Sequence, residues 1–152
     1  MCQISNLLFW LFLHTPLTIL ERHGYRIKKF PEPPSDALIG VDATVSEGWL
    51  DLKVRNDTSK TFQITISFEG DIIHGSILTD AAPTEQYRIT NGSPLYFREN
   101  NSIYEEVDII QNRYSLSDEK CLSSKVLYQN HCKIGYALPA DTKILDRKEN
   151  KQ

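Results

Sequence analysis

An apolar segment near the start of the chain, ended by a proline, constrains the fold more than any other feature. Its apolar residues follow the i, i+3, i+4, i+7, i+8 spacing of one helix face, and others spill around that face. They are Ile4, Leu7, Leu8, Leu11 and Phe12 on the face, with Phe9, Trp10 and Leu13 around it. Pro16 disfavours helical geometry in Thr15 and has no N–H to donate, so the helix ends there. The sequence predicts a helix that is buried nearly all round.

Cys2 stands at the head of this predicted helix. Unpaired backbone N–H groups in a first helical turn carry a partial positive charge, which favours a thiolate over a thiol. Free cysteines are also among the most buried residues, and many are only small hydrophobes. The residue alone therefore leaves two interpretations open, a nucleophile and an inert buried thiol.

Charge and hydropathy exclude several partners. The net charge is −3, from 17 basic and 20 acidic residues without long runs, so no nucleic acid and no anionic membrane is expected to bind. The unbroken apolar run at residues 7–13 is too short to span a bilayer. No Lys or Arg precedes it and no small-residue cleavage pattern follows it, which predicts a cytoplasmic location for the chain as it stands. The oligomeric state stays open.

Alternating apolar and polar residues predict β-structure from Val41 onward. Strands are predicted at residues 49–55, 61–68 and 72–78, with a turn at 69–71. A second run follows at 86–90, 94–98 and 102–114, and then a hairpin of 122–128 and 131–138 around Gln129 and Asn130. We predict an α+β fold, with the N-terminal buried helix packed on an antiparallel β-sheet and a β-rich C-terminal extension.

This pattern divides the chain into three segments. Residues 1–80 hold the helix and the first antiparallel strands, and residues 81–140 form the β-rich extension. Residues 141–152 are charged and have no apolar period, which predicts a disordered tail.

The three cysteines do not form a recognisable disulfide or metal pattern. In the predicted C-terminal hairpin Cys132 faces Leu127 and Cys121 faces Leu138, so the two sulfurs lie far apart. A zinc site from Cys121, His131 and Cys132 lacks a fourth ligand, and adjacent strand residues point to opposite faces. We expect no metal and no organic cofactor.

A cysteine nucleophile needs a base, and usually a third group to orient that base. The four histidines are His14, His23, His74 and His131. His23 precedes the predicted sheet, and Asp42 opens a strand from which a carboxylate could orient an imidazole. The order Cys, His, Asp is that of papain-like and transglutaminase-like hydrolases, which is an analogy of fold only. Alternatively, His23 is a surface residue beside Arg22, and Asp42 is a capping or turn residue.

Several blocks of the sequence occur in the order found in one protein family. They are CQISNLLFW at 2–10, HTPLT at 14–18, ERH at 21–23, DATV at 42–45, LDLKVRNDT at 50–58 and RENNSIY at 98–104. In these blocks the chain resembles the VanW family, which is associated with B-type vancomycin resistance clusters. By this resemblance residues 1–80 correspond to the C-terminal part of a VanW-like domain.

Two positions depart from the pattern of the family. Its members carry Gly-Gly-Gly-x before the Cys-Gln pair and a sizeable segment upstream, whereas Met1 occupies the x position here. The resemblance therefore implies an N-terminally truncated chain without the glycine loop, whose N–H groups are suited to hold an oxyanion. The family histidine follows the Glu-Arg pair and precedes a serine, and it corresponds to Tyr25 rather than to His23.

The resemblance implies cysteine acyl transfer on peptidoglycan stem peptides, of the L,D-transpeptidase type. In that role Cys2 is the nucleophile, His23 is a stand-in base and Asp42 orients it. The intact family is then enzymatic and exported or wall-facing, and this chain, without the usual histidine, is impaired or inactive. The alternative is a non-catalytic accessory or cell-wall-binding domain, or an inactive fragment of a longer gene.

Overall fold

The computed structural model describes residues 2–31 and 38–146, and the side chain of Cys2 is not part of that description. Within these residues one helix is followed by ten strands, which confirms the α+β class with an N-terminal helix and a β-rich body. The elements are α1 (Cys2–Leu13), β1 (Thr18–Glu21), β2 (Ile27–Lys28), β3 (Lys53–Arg55), β4 (Phe62–Glu69), β5 (Ile72–Thr79), β6 (Glu85–Asn91), β7 (Leu95–Glu99), β8 (Ser102–Ser115), β9 (Cys121–Ile134) and β10 (Ile144–Asp146).

The largest sheet is built around β8. This strand pairs antiparallel with β9 along one edge, and with β7 and then β6 along the other. The strand order is β10-β7-β8-β9-β2, and the two outermost pairs, β10 with β7 and β2 with β9, are parallel. Because β8 has partners on both edges over most of its length, it is the most buried strand of the sheet.

Helix α1 is buried on one face, which packs on β8. The prediction that it is buried nearly all round is wrong, because Gln3, Ile4 and Trp10 are exposed. Phe9 and Leu13 form one buried cluster with Val107 and Ile109 of β8 and with Ala43. Full burial of a side chain of this size stabilises the fold by about 1.5–3 kcal/mol, so this cluster is the main apolar core. It takes residues from both of the segments predicted at 1–80 and 81–140.

The end of α1 is held by side-chain hydrogen bonds as well as by the proline. The Thr15 hydroxyl donates to the carbonyl oxygen of Phe12 at 2.7 Å. The Gln111 amide of β8 donates to the carbonyl oxygen of Leu13 at 2.7 Å. The Phe12 carbonyl also accepts from the Thr15 amide at 3.1 Å, which closes the last turn. The Gln111 bond satisfies the Leu13 carbonyl and fastens the helix end to the sheet.

Strands β4 and β5 form the predicted hairpin, with Glu69 paired to Ile72 across the turn. Its apolar face lies against α1, where Gly75 allows close approach. A Cβ atom at Gly75 would lie 3.0 Å from the side chains of Leu7 and Leu11. The absence of a side chain at this position therefore lets the hairpin pack on the helix.

Three other predicted features are wrong in the structure. The hairpin around Gln129 and Asn130 does not exist, because β9 runs straight through both residues and pairs Asn130 with Val107. The strand predicted at 49–55 is reduced to β3, since Ser46, Trp49 and Leu50 form a tight turn before it. The tail predicted from Asp141 contains β10, and residues 147–152 lie outside the described residues.

Candidate functional site

The helix that begins at Cys2 is fastened to the segment around Asp42 by its second turn. The Ser5 hydroxyl donates to the carbonyl oxygen of Ala43 at 2.5 Å, and the Ala43 amide donates to the Asn6 side chain at 2.8 Å. The carbonyl oxygen and the amide of Ala43 are thus both hydrogen-bonded to side chains of α1. Position 2 lies one turn before Ser5 on the same helix face.

The backbone of His23 also hydrogen-bonds to the segment around Asp42. The Thr44 amide donates to the carbonyl oxygen of His23 at 2.7 Å, so the chain around His23 runs beside residues 42–44. The structure therefore places His23 and Asp42 on neighbouring stretches, next to the helix whose first residue is Cys2.

The carboxylate that contacts the His23 ring is that of Glu21. Nε2 of His23 lies 2.8 Å from Oε1 of Glu21, and the other oxygen of Glu21 accepts from Nζ of Lys53 at 2.6 Å. The Lys53 hydrogen bond, followed by that of His23, lowers the pKa of Glu21 from 4.5 to about 2. Sequence analysis missed Glu21 as a partner of His23, which lies two residues beyond the end of β1.

We expect the Glu21 carboxyl to titrate near pH 2 in a carbon-13 NMR titration. Because the folded pKa is below the unfolded value, the stabilisation from Glu21 is complete above about pH 4.5 and is lost as the pH falls toward 2. Lys53→Met should raise the midpoint part of the way to 4.5, since His23 remains. Lys120→Met removes a distant exposed charge and should leave it unchanged. An unshifted midpoint in Lys53→Met contradicts the assignment.

Asp42 contacts Arg22 and the backbone of Tyr25. Its Oδ1 lies 2.9 Å from Nη2 of Arg22, and its Oδ2 accepts from the Tyr25 amide at 2.8 Å. Asp42 thus holds the Arg22 side chain and the Tyr25 backbone, which lie on either side of His23 in sequence. Tyr25 is the position at which the family pattern has its histidine.

Arg22 is the centre of a buried polar cluster that sequence analysis missed. Its guanidinium donates to the carbonyl oxygen of Asp42 at 2.6 Å, to Oδ1 of Asn130 at 2.9 Å and to the carbonyl oxygen of Gly40 at 2.8 Å. The side chain is only 10% exposed. We call Arg22, Gly40, Asp42 and Asn130 the Arg22 cluster.

Two aromatic rings enclose the Arg22 cluster. The guanidinium carbon lies 4.7 Å from the ring centre of Tyr128 and 5.6 Å from that of Phe9, distances at which cation–π attraction operates. The Tyr128 hydroxyl donates to the carbonyl oxygen of Gly40 at 3.0 Å. Burial raises the pKa of Tyr128, so this ring stays neutral and its hydroxyl stays a donor.

A second buried polar group lies close to the Arg22 cluster, since Glu105 pairs with Cys132, two residues from Asn130 on β9. Glu105 of β8 is 1% exposed, and it accepts from Nζ of Lys28 at 3.0 Å and from the Tyr96 hydroxyl at 2.9 Å. Burial and the Glu105 hydrogen bond raise the pKa of Tyr96 to about 12. These contacts join β2, β7 and β8, and the carboxylate is closed to solvent.

The two other cysteines differ in exposure. Cys121 is exposed at one end of β9, and Cys132 is buried near its other end, with both thiols free. Burial, followed by the charge of Glu105, raises the pKa of the Cys132 thiol. Cys132 is therefore held in its protonated, weakly nucleophilic form.

Neither a membrane span nor a metal cluster is found in the described part of the chain. The one helix there is too short to cross a bilayer. Across residues 3–31 and 38–146, no three His, Cys, Asp or Glu side chains are placed to hold a metal ion together.

Comparison with known protein families shows the family to which the chain belongs. The sequence model for VanW-like proteins matches residues 1–78, and the chain belongs to this family. It is 51% identical over 144 residues to the vancomycin B-type resistance protein VanW of Enterococcus faecalis. The match covers 95% of this chain and 52% of that protein, so the chain spans about half the length of the curated relative it matches. No solved structure matches significantly.

Proposed function

We propose that this chain takes part in vancomycin resistance at the cell wall, and that its chemistry is cysteine acyl transfer on peptidoglycan stem peptides. Cys2 is the nucleophile, His23 is the base, and Asp42 is a positioning residue. The name of the Enterococcus faecalis relative supports the link to resistance. The stem peptide and the reaction are what the family resemblance implies.

The single observation that carries the proposal is the docking of α1 beside His23. Through Ser5 and Ala43 the helix that begins at Cys2 is fixed against the segment that also bonds the His23 backbone. A thiol in the first turn of a fixed helix experiences the helix dipole continuously, which lowers its pKa. A fixed backbone also keeps the nucleophile and base at constant separation, as acyl transfer requires.

The reaction proceeds through an acyl-enzyme. The Cys2 thiolate attacks the carbonyl carbon of the L-residue that precedes a D-amino acid, and a thioester forms as the C–N bond breaks. The D-amino acid leaves as an amine that takes its proton from His23. An acceptor amine of a second stem peptide then attacks the thioester and passes a proton to His23, and the new amide forms as the thiolate leaves.

In this scheme Glu21 orients the imidazole directly and Asp42 orients it through the backbone. Glu21 lies 2.8 Å from the ring, and its low pKa keeps it anionic, so it remains a hydrogen-bond acceptor that can orient the imidazole. Asp42 holds the Tyr25 amide and Arg22, which flank His23 in sequence.

A second candidate function is a non-catalytic accessory domain that binds the cell wall. Two observations favour it. The His23 ring contacts the carboxylate of Glu21, and Tyr25 stands where the family resemblance places a histidine. Under this alternative the cysteine has no base and an ordinary thiol pKa.

The test is the pH dependence of alkylation by iodoacetamide. Cys2 should react with a midpoint about one unit or more below 8.5, the ordinary thiol value, and at neutral pH it should react faster than exposed Cys121. His23→Gln should raise the Cys2 midpoint, and His74→Gln, on the exposed hairpin beside Glu69, should leave it unchanged. Equal midpoints for Cys2 and Cys121 would overturn the catalytic proposal and favour the accessory domain.

A further inference from the structure

Two adjoining cavities form one groove across the protein. The larger, about 710 Å³, lies between β1 and β9, and the smaller, about 430 Å³, lies between the end of α1 and the β4–β5 hairpin. Pro16, Tyr87 and Arg113 line both cavities. Volumes of about 300–1,000 Å³ are typical of ligand sites. We call the two together the β1–β9 groove.

The larger cavity runs along strand edges rather than along one face of a strand. Every residue from 17 to 22 lines it on the β1 side, and every residue from 125 to 129 on the β9 side. Side chains of a strand alternate between two faces, so a surface lined by consecutive residues follows the main chain. The six residues from 17 to 22, of which β1 is the central part, span about 20 Å when extended, which matches an extended peptide of similar length.

Both strands keep one unpaired edge in the described part of the chain. There β1 pairs only with β3, and β9 pairs only with β8 between residues 121 and 132. Unpaired N–H and C=O groups on a strand edge are a template for another strand. Addition of an extended peptide to such an edge is a recurring mode of recognition.

The charges of the groove favour an anionic group. Arg22, Arg113 and Lys125 line the larger cavity, against Glu21 as the one carboxylate among its lining residues. Arg22 is bound to Asp42, and Glu21 to Lys53. Arg113 forms an ion pair with Glu85, whose Oε2 lies 3.5 Å from Nε, and its side chain is 43% exposed. The Nε atom itself is buried and makes no hydrogen bond to the described residues. A buried donor without an acceptor is costly, and a carboxylate is the acceptor that suits a guanidinium.

We propose that the β1–β9 groove binds an extended peptide, with the peptide main chain along a free strand edge and a peptide carboxylate on Arg113. One end of the groove is at Glu21 and Arg22, directly before His23. A bound peptide therefore reaches the neighbourhood of the proposed base. That this peptide is a stem peptide rests on the proposed function, whereas peptide binding itself does not.

The test is peptide titration into the full chain carrying Cys2→Ser, followed by backbone amide NMR. The probes are the stem pentapeptide L-Ala-γ-D-Glu-L-Lys-D-Ala-D-Ala, the all-L peptide Ala-Glu-Lys-Ala-Ala, and both with their carboxyl groups amidated. We expect shifts in the amides of β1 and β9, and about tenfold weaker binding after amidation. Binding of either free acid, or of both, supports the groove, and no binding of either overturns it.

Two matched substitutions locate the carboxylate. Arg113→Gln should weaken binding about tenfold, while Arg88→Gln should change it less than about twofold. Arg88 lies on the adjacent strand β6, is exposed, and its guanidinium lies over the Tyr114 ring. Equal effects of the two substitutions overturn the proposal.

Two further measurements test the groove, one with a second variant and one of self-association. Lys125→Gln changes an exposed side chain on the rim, so it should weaken binding about threefold without affecting folding, even if Arg113→Gln is unstable. Concentration-dependent sedimentation that Arg113→Gln abolishes would show that a second copy of the chain fills the groove, and it would overturn the proposal. All titrations use Cys2→Ser, so they measure binding independently of Cys2 chemistry. If the peptide binds but Cys2 of the parent chain is unreactive, the groove proposal is supported and only the acyl-transfer proposal fails.

Discussion

Arg22→Met should lower the free energy of unfolding by about 3 kcal/mol or more, because removing one partner of a buried ion pair leaves the other uncompensated. Methionine fills much of the volume of the arginine stem but donates no hydrogen bond. The Asp42 carboxylate and the Gly40 carbonyl oxygen would each lose a donor, and so would the buried side chain of Asn130. Urea denaturation followed by circular dichroism measures the change.

The matched control is Arg55→Met. Arg55 also pairs with an aspartate, Asp57 at 2.6 Å, but the two side chains are 58% and 47% exposed. Exposed ion pairs contribute about 0–1 kcal/mol, so this substitution should change the free energy of unfolding by less than about 1 kcal/mol. Similar losses for Arg22→Met and Arg55→Met would contradict a central stabilising role for the Arg22 cluster.

Gly40→Ala should lower the free energy of unfolding by about 3 kcal/mol, from backbone strain and from a steric clash together. Gly40 has φ +73°, which disfavours any side chain. A Cβ atom there would also lie 2.7 Å from Cβ and 2.8 Å from Cγ of Asn130. Asn130 has little freedom to move, because its Oδ1 accepts from Arg22 and its backbone lies within β9. Thermal and urea unfolding measure the loss.

Gly48→Ala separates the two contributions. Gly48 has nearly the same backbone angle, φ +71°, but no atom lies within 4 Å of a Cβ built there. The strain alone costs about 1–2 kcal/mol, so Gly48→Ala should destabilise the protein by about that amount. If Gly40→Ala and Gly48→Ala destabilise equally, the close approach of Gly40 to Asn130 contributes nothing.

The elements with complete local signals were predictable from the sequence. Helix α1 has an apolar stripe and a proline stop, and β4 and β5 alternate on either side of Gly70. In each case the residues that decide the structure lie within a few positions of one another. Local spacing is then sufficient information.

The elements that depend on distant partners were not predictable. Gln129 and Asn130 resemble a turn locally, but β8 offers a partner of equal length, 14 residues, so the strand continues through them. The Asn130 side chain bonds Arg22 across 108 positions of sequence. The tail beyond Asp141 has no apolar period, and β10 forms there only because β7 provides a free edge.

The candidate site was likewise predictable only in part: its residues could be chosen from the sequence, but their contacts could not. Cys2, His23 and Asp42 were selected from chain order and from the family pattern, which specify residue types but not contacts. The contact of Glu21 with the His23 ring depends on Lys53 from β3, which holds the other Glu21 oxygen. The ordering of Arg22 depends on β9. Neither partner is adjacent in sequence, so the cluster becomes visible only in the fold.

The most direct test of the acyl-transfer proposal is mass spectrometry of the chain after incubation with the stem pentapeptide and no acceptor amine. We predict a thioester-linked tripeptide, L-Ala-γ-D-Glu-L-Lys, on Cys2, with D-Ala-D-Ala released; hydroxylamine should remove it, and it should be absent from Cys2→Ser. Tyr25→His, which restores the histidine of the family pattern, should make the adduct form faster. An unmodified Cys2, or equal modification of Cys121, would contradict the account.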